Sequence, residues 1–304
     1  MMASPVAEVW ASSIAKAKGR ARTAAWLGWI AFPLLFPGIS FSQSAPQTVT
    51  IPCGNLHLKA LLWKPGGIGP FPAVLFNHGS GSDAEHTAGM TMTEAAGKLA
   101  PVFLRHGYAF LYLFRRGQGL SADQGSYIGD VLRHEEAVKG AEASQHLQLV
   151  LLRTDYLDEV MSGLAFLKNI SGVDARRIAV IGHSFGGQLA LLVAQRDPKV
   201  RATVAFDGAA HHSWQRSAEV REELLNAVGN AAAPIMLVQA SNDYSTAPSR
   251  DLAAELERLH KPHVLRIYPP VGRTPDDGHD AVYLATTVWE EDVFQFLDKY
   301  VKPN

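Results

Sequence analysis

The chain has 304 residues, 47% hydrophobic and 19% charged, with 26 Gly and 17 Pro; a disordered chain would be poorer in apolar residues, and a collagen-like one would repeat glycine at a fixed period. With 28 Lys+Arg against 29 Asp+Glu the net charge is −1, which offers a polyanion no general attraction, so nucleic acid is not an expected partner. The single Cys53 excludes an intramolecular disulfide and a cysteine-based zinc cluster.

Lys16, Lys18, Arg20 and Arg22 precede a stretch, Thr23 to Thr50, with no charged residue. Its apolar part, residues 24–39, is interrupted by Pro33 and Pro37 and is shorter than the ~20 residues a spanning helix wants. Basic-then-apolar order, followed by the small pairs Ser40/Ser42 or Ser42/Ser44, predicts that residues 1–44 hold a signal peptide cleaved before Gln43 or Ala45. The alternative is an uncleaved N-terminal anchor attaching the protein to a membrane through residues 24–39. Both readings leave residues 45–304 as an exported catalytic domain, periplasmic or secreted.

From about Gln47 short β-branched runs alternate with helical patterns, the signature of a mostly parallel sheet with crossover helices. Strands are predicted at His57–Trp63, Ala73–Asn77, Tyr108–Phe114, Ile178–Ile181, Ala202–Phe206, Ile235–Gln239 and Val264–Tyr268, and their nearly continuous apolar character suits strands covered on both faces. Helices are predicted at about Thr91–Arg105, Ala137–Lys168, Gly187–Arg196, Ser249–Leu259 and Ala281–Val301. The segment from Ser126 to Leu152 is longer than a minimal crossover needs and is expected at the rim of a site.

Strand Ile178–Ile181 runs into Gly182-His183-Ser184-Phe185-Gly186 and then a helix. Gly-x-Ser-x-Gly between a strand and a helix forces the serine into a tight, strained turn with its hydroxyl exposed, and this makes Ser184 the candidate nucleophile. Serine needs a base and an acid to orient that base. Asp243 follows strand Ile235–Gln239 and is the candidate acid, with Asp207, after Ala202–Phe206, as its competitor. Of 12 histidines, only His279 lies in the Gly- and Pro-rich loop between the last strand and the last helix, which makes it the candidate general base. The loop His78-Gly79-Ser80-Gly81 after Ala73–Asn77 is expected to present the Ser80 N–H, beside that of Phe185, as a two-donor oxyanion hole.

These residues, together with Arg115-Arg116-Gly117-Gln118-Gly119-Leu120-Ser121, resemble the α/β-hydrolase superfamily, and within it the dienelactone hydrolase-like group that is also similar to the catalytic domain of prolyl oligopeptidases. The resemblance runs from about Ile51 to Tyr300 and implies an α/β-hydrolase fold: a mostly parallel sheet of about eight strands with helices on both faces. It further implies a serine hydrolase that cleaves an ester, thioester or amide through an acyl-enzyme, without cofactor or metal, on a small-molecule substrate. True dienelactone hydrolases carry cysteine where this chain has Ser184, which argues against that substrate. Prolyl peptidases carry an N-terminal propeller for which this chain has no room, so peptide cleavage is the secondary reading.

A substrate contact is expected from Trp214, in the segment Asp207 to Asn230; Arg116 is a second candidate, toward a substrate anion, but the favoured reading is a structural arginine pinning its glycine-rich loop. His211 and His212 lack a further ligand at metal spacing and read as rim residues. A protein that keeps the fold and only binds is the alternative from another class.

Overall fold

The computed structural model describes residues 45–211 and 213–302; the expected signal peptide or anchor, residues 1–44, and His212 lie outside them. Among the described residues no helix is long and apolar enough to cross a membrane. The order of elements is β1 (Gln47–Cys53), β2 (Leu56–Trp63), β3 (Phe71–Asn77), a ribbon of β4 (His86–Thr87) and β5 (Met90–Thr91), α1 (Met92–Arg105) and β6 (Ala109–Leu113). After a short turn of 3-10 helix come α2 (Ile128–Lys139), α3 (Ala141–Arg153), α4 (Asp155–Asn169), β7 (Val173–His183), α5 (Phe185–Arg196) and β8 (Ala202–Phe206). The rest is α6 (Ser213–Arg216), α7 (Ala218–Asn230), β9 (Ile235–Ala240), α8 (Ala247–Arg258), β10 (His263–Tyr268), α9 (Pro275–His279), α10 (Ala281–Leu284) and α11 (Thr286–Val301).

Eight strands form one sheet in the order β1-β2-β6-β3-β7-β8-β9-β10. From β6 to β10 every neighbouring pair is parallel, while β2 runs antiparallel to both β1 and β6. The all-apolar strands alternate their side chains between two cores. On one face Leu75, Leu111, Val180 and Leu237 pack with Val160 of α4, Leu189 of α5 and Leu224 of α7. On the other, Val74, Phe76 and Phe110 pack with Leu99 and Phe103 of α1 and Phe294 of α11, and the Phe103 and Phe110 rings stack at 4.6 Å.

The predicted strands are all present, with ends moved by a few residues. Two predicted helices are divided. Residues 137–168 fall in three helices because Gly140 (φ 91°) and Thr154 (φ −113°, ψ −96°) leave helical geometry, and the last helix is interrupted at Ala285 (φ −135°, ψ 52°). Strand β1 and helix α7 were not predicted. The edge strand β1 buries only Val49 and Ile51, too short a pattern to stand out, whereas α7 announces itself only by the Ser217 cap that accepts the Val220 N–H.

The topology also sets where a site can form. From β3 the chain crosses to β6 on one side, and from β7 it crosses to β8 on the other, so the loops leaving two adjacent strands diverge and open a crevice at their C-terminal ends.

Candidate active site

Ser184 sits at the turn between β7 and α5 with φ 53° and ψ −118°, a backbone state that L-residues avoid and that persists only where the surroundings enforce it. The enforcement is visible. Ser184 N–H donates to Phe206 O at 2.8 Å, and a Cβ on Gly186 would lie 2.1 Å from Asn77 O and 2.4 Å from His78 O, so only glycine lets α5 press this closely on the end of β3.

The loop after β3 lies directly over this turn, since a Cβ on Gly79 would be 3.2 Å from Ser184 Cβ. Its conformation is held by Arg115, which is fully buried and donates to His78 O (2.6 Å) and Gly79 O (2.7 Å). Burial and the adjacent Arg115 charge hold His78 well below the usual histidine range. Its neutral ring therefore accepts the Arg115 N–H at Nε2 (3.3 Å) and donates from Nδ1 to Gly79 O (2.7 Å). In a trans peptide C=O and N–H point oppositely, so fixing the Gly79 carbonyl also fixes the direction of the Ser80 N–H. Gln118 holds the next carbonyl, that of Ser80. The Arg115 guanidinium also lies 5.5 Å from the centre of the Phe185 ring, and the Phe185 N–H, first in its helix, has no intrahelical acceptor. Arg115 thus holds the carbonyl of the Gly79–Ser80 peptide and lies beside Phe185, next to both donors of the expected oxyanion hole. It stood in the family motif without an individual role, and its function depends on contacts that cross 37 positions in the chain.

His279 closes α9, and its Nδ1 lies 2.9 Å from Asp243 Oδ1. Asp243, in the loop after β9, also accepts Tyr244 N–H at Oδ1 (2.6 Å) and Gln239 Nε2 at Oδ2 (2.6 Å). Burial opposes its charge, but the hydrogen bonds from His279 and Gln239 prevail and keep it below the usual carboxylate value. An ionised Asp243 makes Nδ1 of His279 the donor and leaves Nε2 free to take a proton. Gly278 is what lets the two loops meet, because a Cβ there would lie 2.7 Å from Asn242 Oδ1 and from Asp243 N.

Ser184, Phe185, Ser80 and His279 line one cleft of about 450 Å³, with Asp243 directly behind His279. Its far wall comes from α2 and α3, through Leu132, Glu136, Gln145 and Gln148, which is where a rim was expected. His211 lines it too, its ring 4.4 Å from that of Tyr244.

Neither candidate substrate contact lines the cleft, which corrects the expectation for Trp214. The guanidinium of Arg116 is held by Glu159 and by Asp155 (2.9 Å), away from the cleft, so Arg116 pins its loop to α4 as its structural reading had it. Trp214 is 4% exposed, bonds Asp251 through Nε1 at 2.9 Å, and lies in the core instead of on the cleft wall. The pull of an apolar ring into the core outweighs what a site would gain from it. Asp207, the competing acid, is fully buried behind Asp243. Among the described residues, one trio of metal-type ligand atoms is grouped within 4.8 Å, those of Asp207, Asp243 and His279, and the last two are already bonded to each other.

A model of the dienelactone hydrolase family matches residues 103–300. No curated protein matches the chain. Among solved structures it is similar to an acylaminoacyl peptidase from Pyrococcus horikoshii, at 17% identity and TM-score 0.62, covering 86% of this chain and 43% of that one. A dienelactone hydrolase from Anabaena variabilis aligns at 20% identity and TM-score 0.59, over 85% of this chain and 100% of its own. Porphyromonas gingivalis dipeptidyl peptidase 4 aligns at 17% and 0.59, over 85% and 36%. The chain spans less than half the length of these peptidases, and at such identities the likeness is one of fold.

Proposed function

The chain belongs to the dienelactone hydrolase family, a family of hydrolases with the α/β-hydrolase fold, and from that premise we propose that it is a serine hydrolase cleaving a carboxylic ester through an acyl-enzyme. The observation that carries this reading is the pairing of a strained, cleft-facing Ser184 with a His279 whose Nδ1 is held by Asp243 at 2.9 Å and whose ring lines the same cleft. In this reading His279 Nε2 takes the Ser184 proton as Oγ attacks the substrate carbonyl, and the N–H groups of Ser80 and Phe185 receive the oxyanion. Collapse breaks the ester bond, His279 returns the proton to the departing alkoxide, and water activated by the same imidazole releases the acid. Asp243 keeps the imidazole in one tautomer and balances the imidazolium that forms.

Esters are favoured over amides because an alkoxide leaves more readily than an amine. The peptidase neighbours keep amide cleavage as the second reading. Purified protein should hydrolyse short-chain p-nitrophenyl esters faster than matched aminoacyl anilides, be unaffected by EDTA, and be labelled by a fluorophosphonate probe that no longer reacts with Ser184→Ala. Faster anilide cleavage, or probe labelling that survives in Ser184→Ala, would overturn the proposal.

A further inference from the structure

Asp207 is a fully buried carboxyl group beside the proposed triad, and that mechanism gives it no task. It follows β8, has a left-handed backbone (φ 57°) with its N–H donating to Val238 O at 3.0 Å, and is inaccessible to solvent. Neither of its oxygens receives a hydrogen bond from an N–H or O–H donor of the described residues. Among the described residues, the titratable groups Asp243, His279, His183 and Asp280 face it. His183 cannot serve as a cationic partner. Burial lowers it to about 3, and its Nε2, 4.0 Å from Asp207 Oδ2, is engaged by His279 O at 2.8 Å.

An ionised Asp207 would therefore be a second buried negative charge beside Asp243, with no donor to compensate it. Burial and that neighbouring charge push it well above the usual carboxylate range. Its oxygen, that of Asp243 and a ring nitrogen of His279 lie within 4.8 Å of one another. A carboxylate offers about four acceptor positions, and Asp243 fills three with His279, Tyr244 N–H and Gln239.

We propose that Asp207 is a positioning residue, an un-ionised carboxylic acid that donates a hydrogen bond to the Asp243 carboxylate and holds it against His279. The proposal rests on the triad reading above. It assigns the two aspartates opposite protonation states for the same reason that two carboxyls sharing a site cannot both ionise. The donated bond supplies the fourth contact of Asp243 and fixes its rotation, so the imidazole tautomer is set by a carboxylate that cannot turn away.

The direct readout is infrared spectroscopy of the full chain at neutral pH. A C=O stretch of a buried protonated carboxyl should be present in the wild type and vanish in Asp207→Asn. Its absence from the wild type would overturn the proposal whether or not the triad reading holds. In parallel, kcat and KM for p-nitrophenyl acetate are measured from mildly acidic to alkaline pH. Asp207→Asn, whose amide donates the same bond and cannot ionise, should stay within about threefold of the wild type at neutral pH. It should also keep the wild-type pH profile, because neither the protonated acid nor the amide carries a charge. Asp207→Leu should lower kcat about tenfold or more at unchanged KM. Inactivity of Asp207→Asn comparable to that of Asp243→Asn would make Asp207 the ionised acid and overturn the proposal. If Asp207→Leu fails to fold, the infrared band and the Asn profile decide alone.

Discussion

At Asp280 burial and charge oppose each other on a single side chain. The residue lines the cleft next to His279, and burial raises its carboxyl to about 6, the nearby His279 opposing this while Asp276, Asp243 and Asp277 reinforce it. The folded state therefore holds this proton more tightly than the unfolded chain does. Stability associated with Asp280 is present below the unfolded value near 3.9 and is lost as pH rises through about 6. Asp280→Asn removes that loss and should make the protein more resistant to urea than wild type at pH 8, by on the order of 1–3 kcal/mol, with little difference at pH 4. Equal gains at both pH values would show that the effect is not the titration of Asp280. Ser184, His279 and Asp243 were legible as single residues because each stands at a recognisable place in chain order. Arg115 was legible only as part of a motif, since what distinguishes it is the pair of loop carbonyls it binds, and nothing in its flanking sequence names them.

Among the elements, the loop carrying Asp243 and the short α9 carrying His279 must touch, although 36 positions separate the two residues. Gly278 sets how closely they approach. Asn242 ties the same two loops, accepting Val271 N–H at 2.9 Å and donating to Val271 O (2.8 Å) and Thr274 O (2.9 Å). Gly278→Ala must push the loops apart, and a misplacement near 1 Å costs about 100-fold in rate, so kcat for a p-nitrophenyl ester should fall on the order of 10–100-fold with the fold retained. The control is Gly97→Ala on the exposed side of α1, where a Cβ meets nothing within 4 Å. It should leave activity unchanged and add about 0.5–1 kcal/mol of stability. A Gly278→Ala enzyme as active as wild type would show that this contact does not set the His279 geometry. The elements themselves were read well where they are long or fully apolar, and poorly where a break depended on one residue, as at Gly140 and Thr154, whose backbone angles follow from the packing of three helices and not from local preference.

For the whole molecule, the basic-then-apolar start of residues 16–39 motivates an export prediction. Expressed in a bacterial host, the full-length chain should be found outside the cytoplasm and shortened to begin near Gln43 or Ala45; recovery of full-length protein in washed membranes would instead establish an anchor. The alternation of apolar strands and helices determined the fold class by itself, because a strand covered on both faces must be apolar at every position and a crossover must be helical. The sequence likewise determined which serine, aspartate and histidine to consider, because a strand–turn–helix with glycines two residues either side of Ser184 leaves few other conformations. Which carboxylate faces the imidazole was decided by the tertiary structure. Asp207 and Asp243 each follow a parallel strand, and only the adjacency of β8 and β9 and the loop packed by Gly278 put Asp243 against His279 and Asp207 behind it. The same holds for Trp214 and Arg116. Residue type suggested a substrate wall and an anion contact, but direction is a property of packing, and packing turned one into the core and gave the other to Glu159 and Asp155.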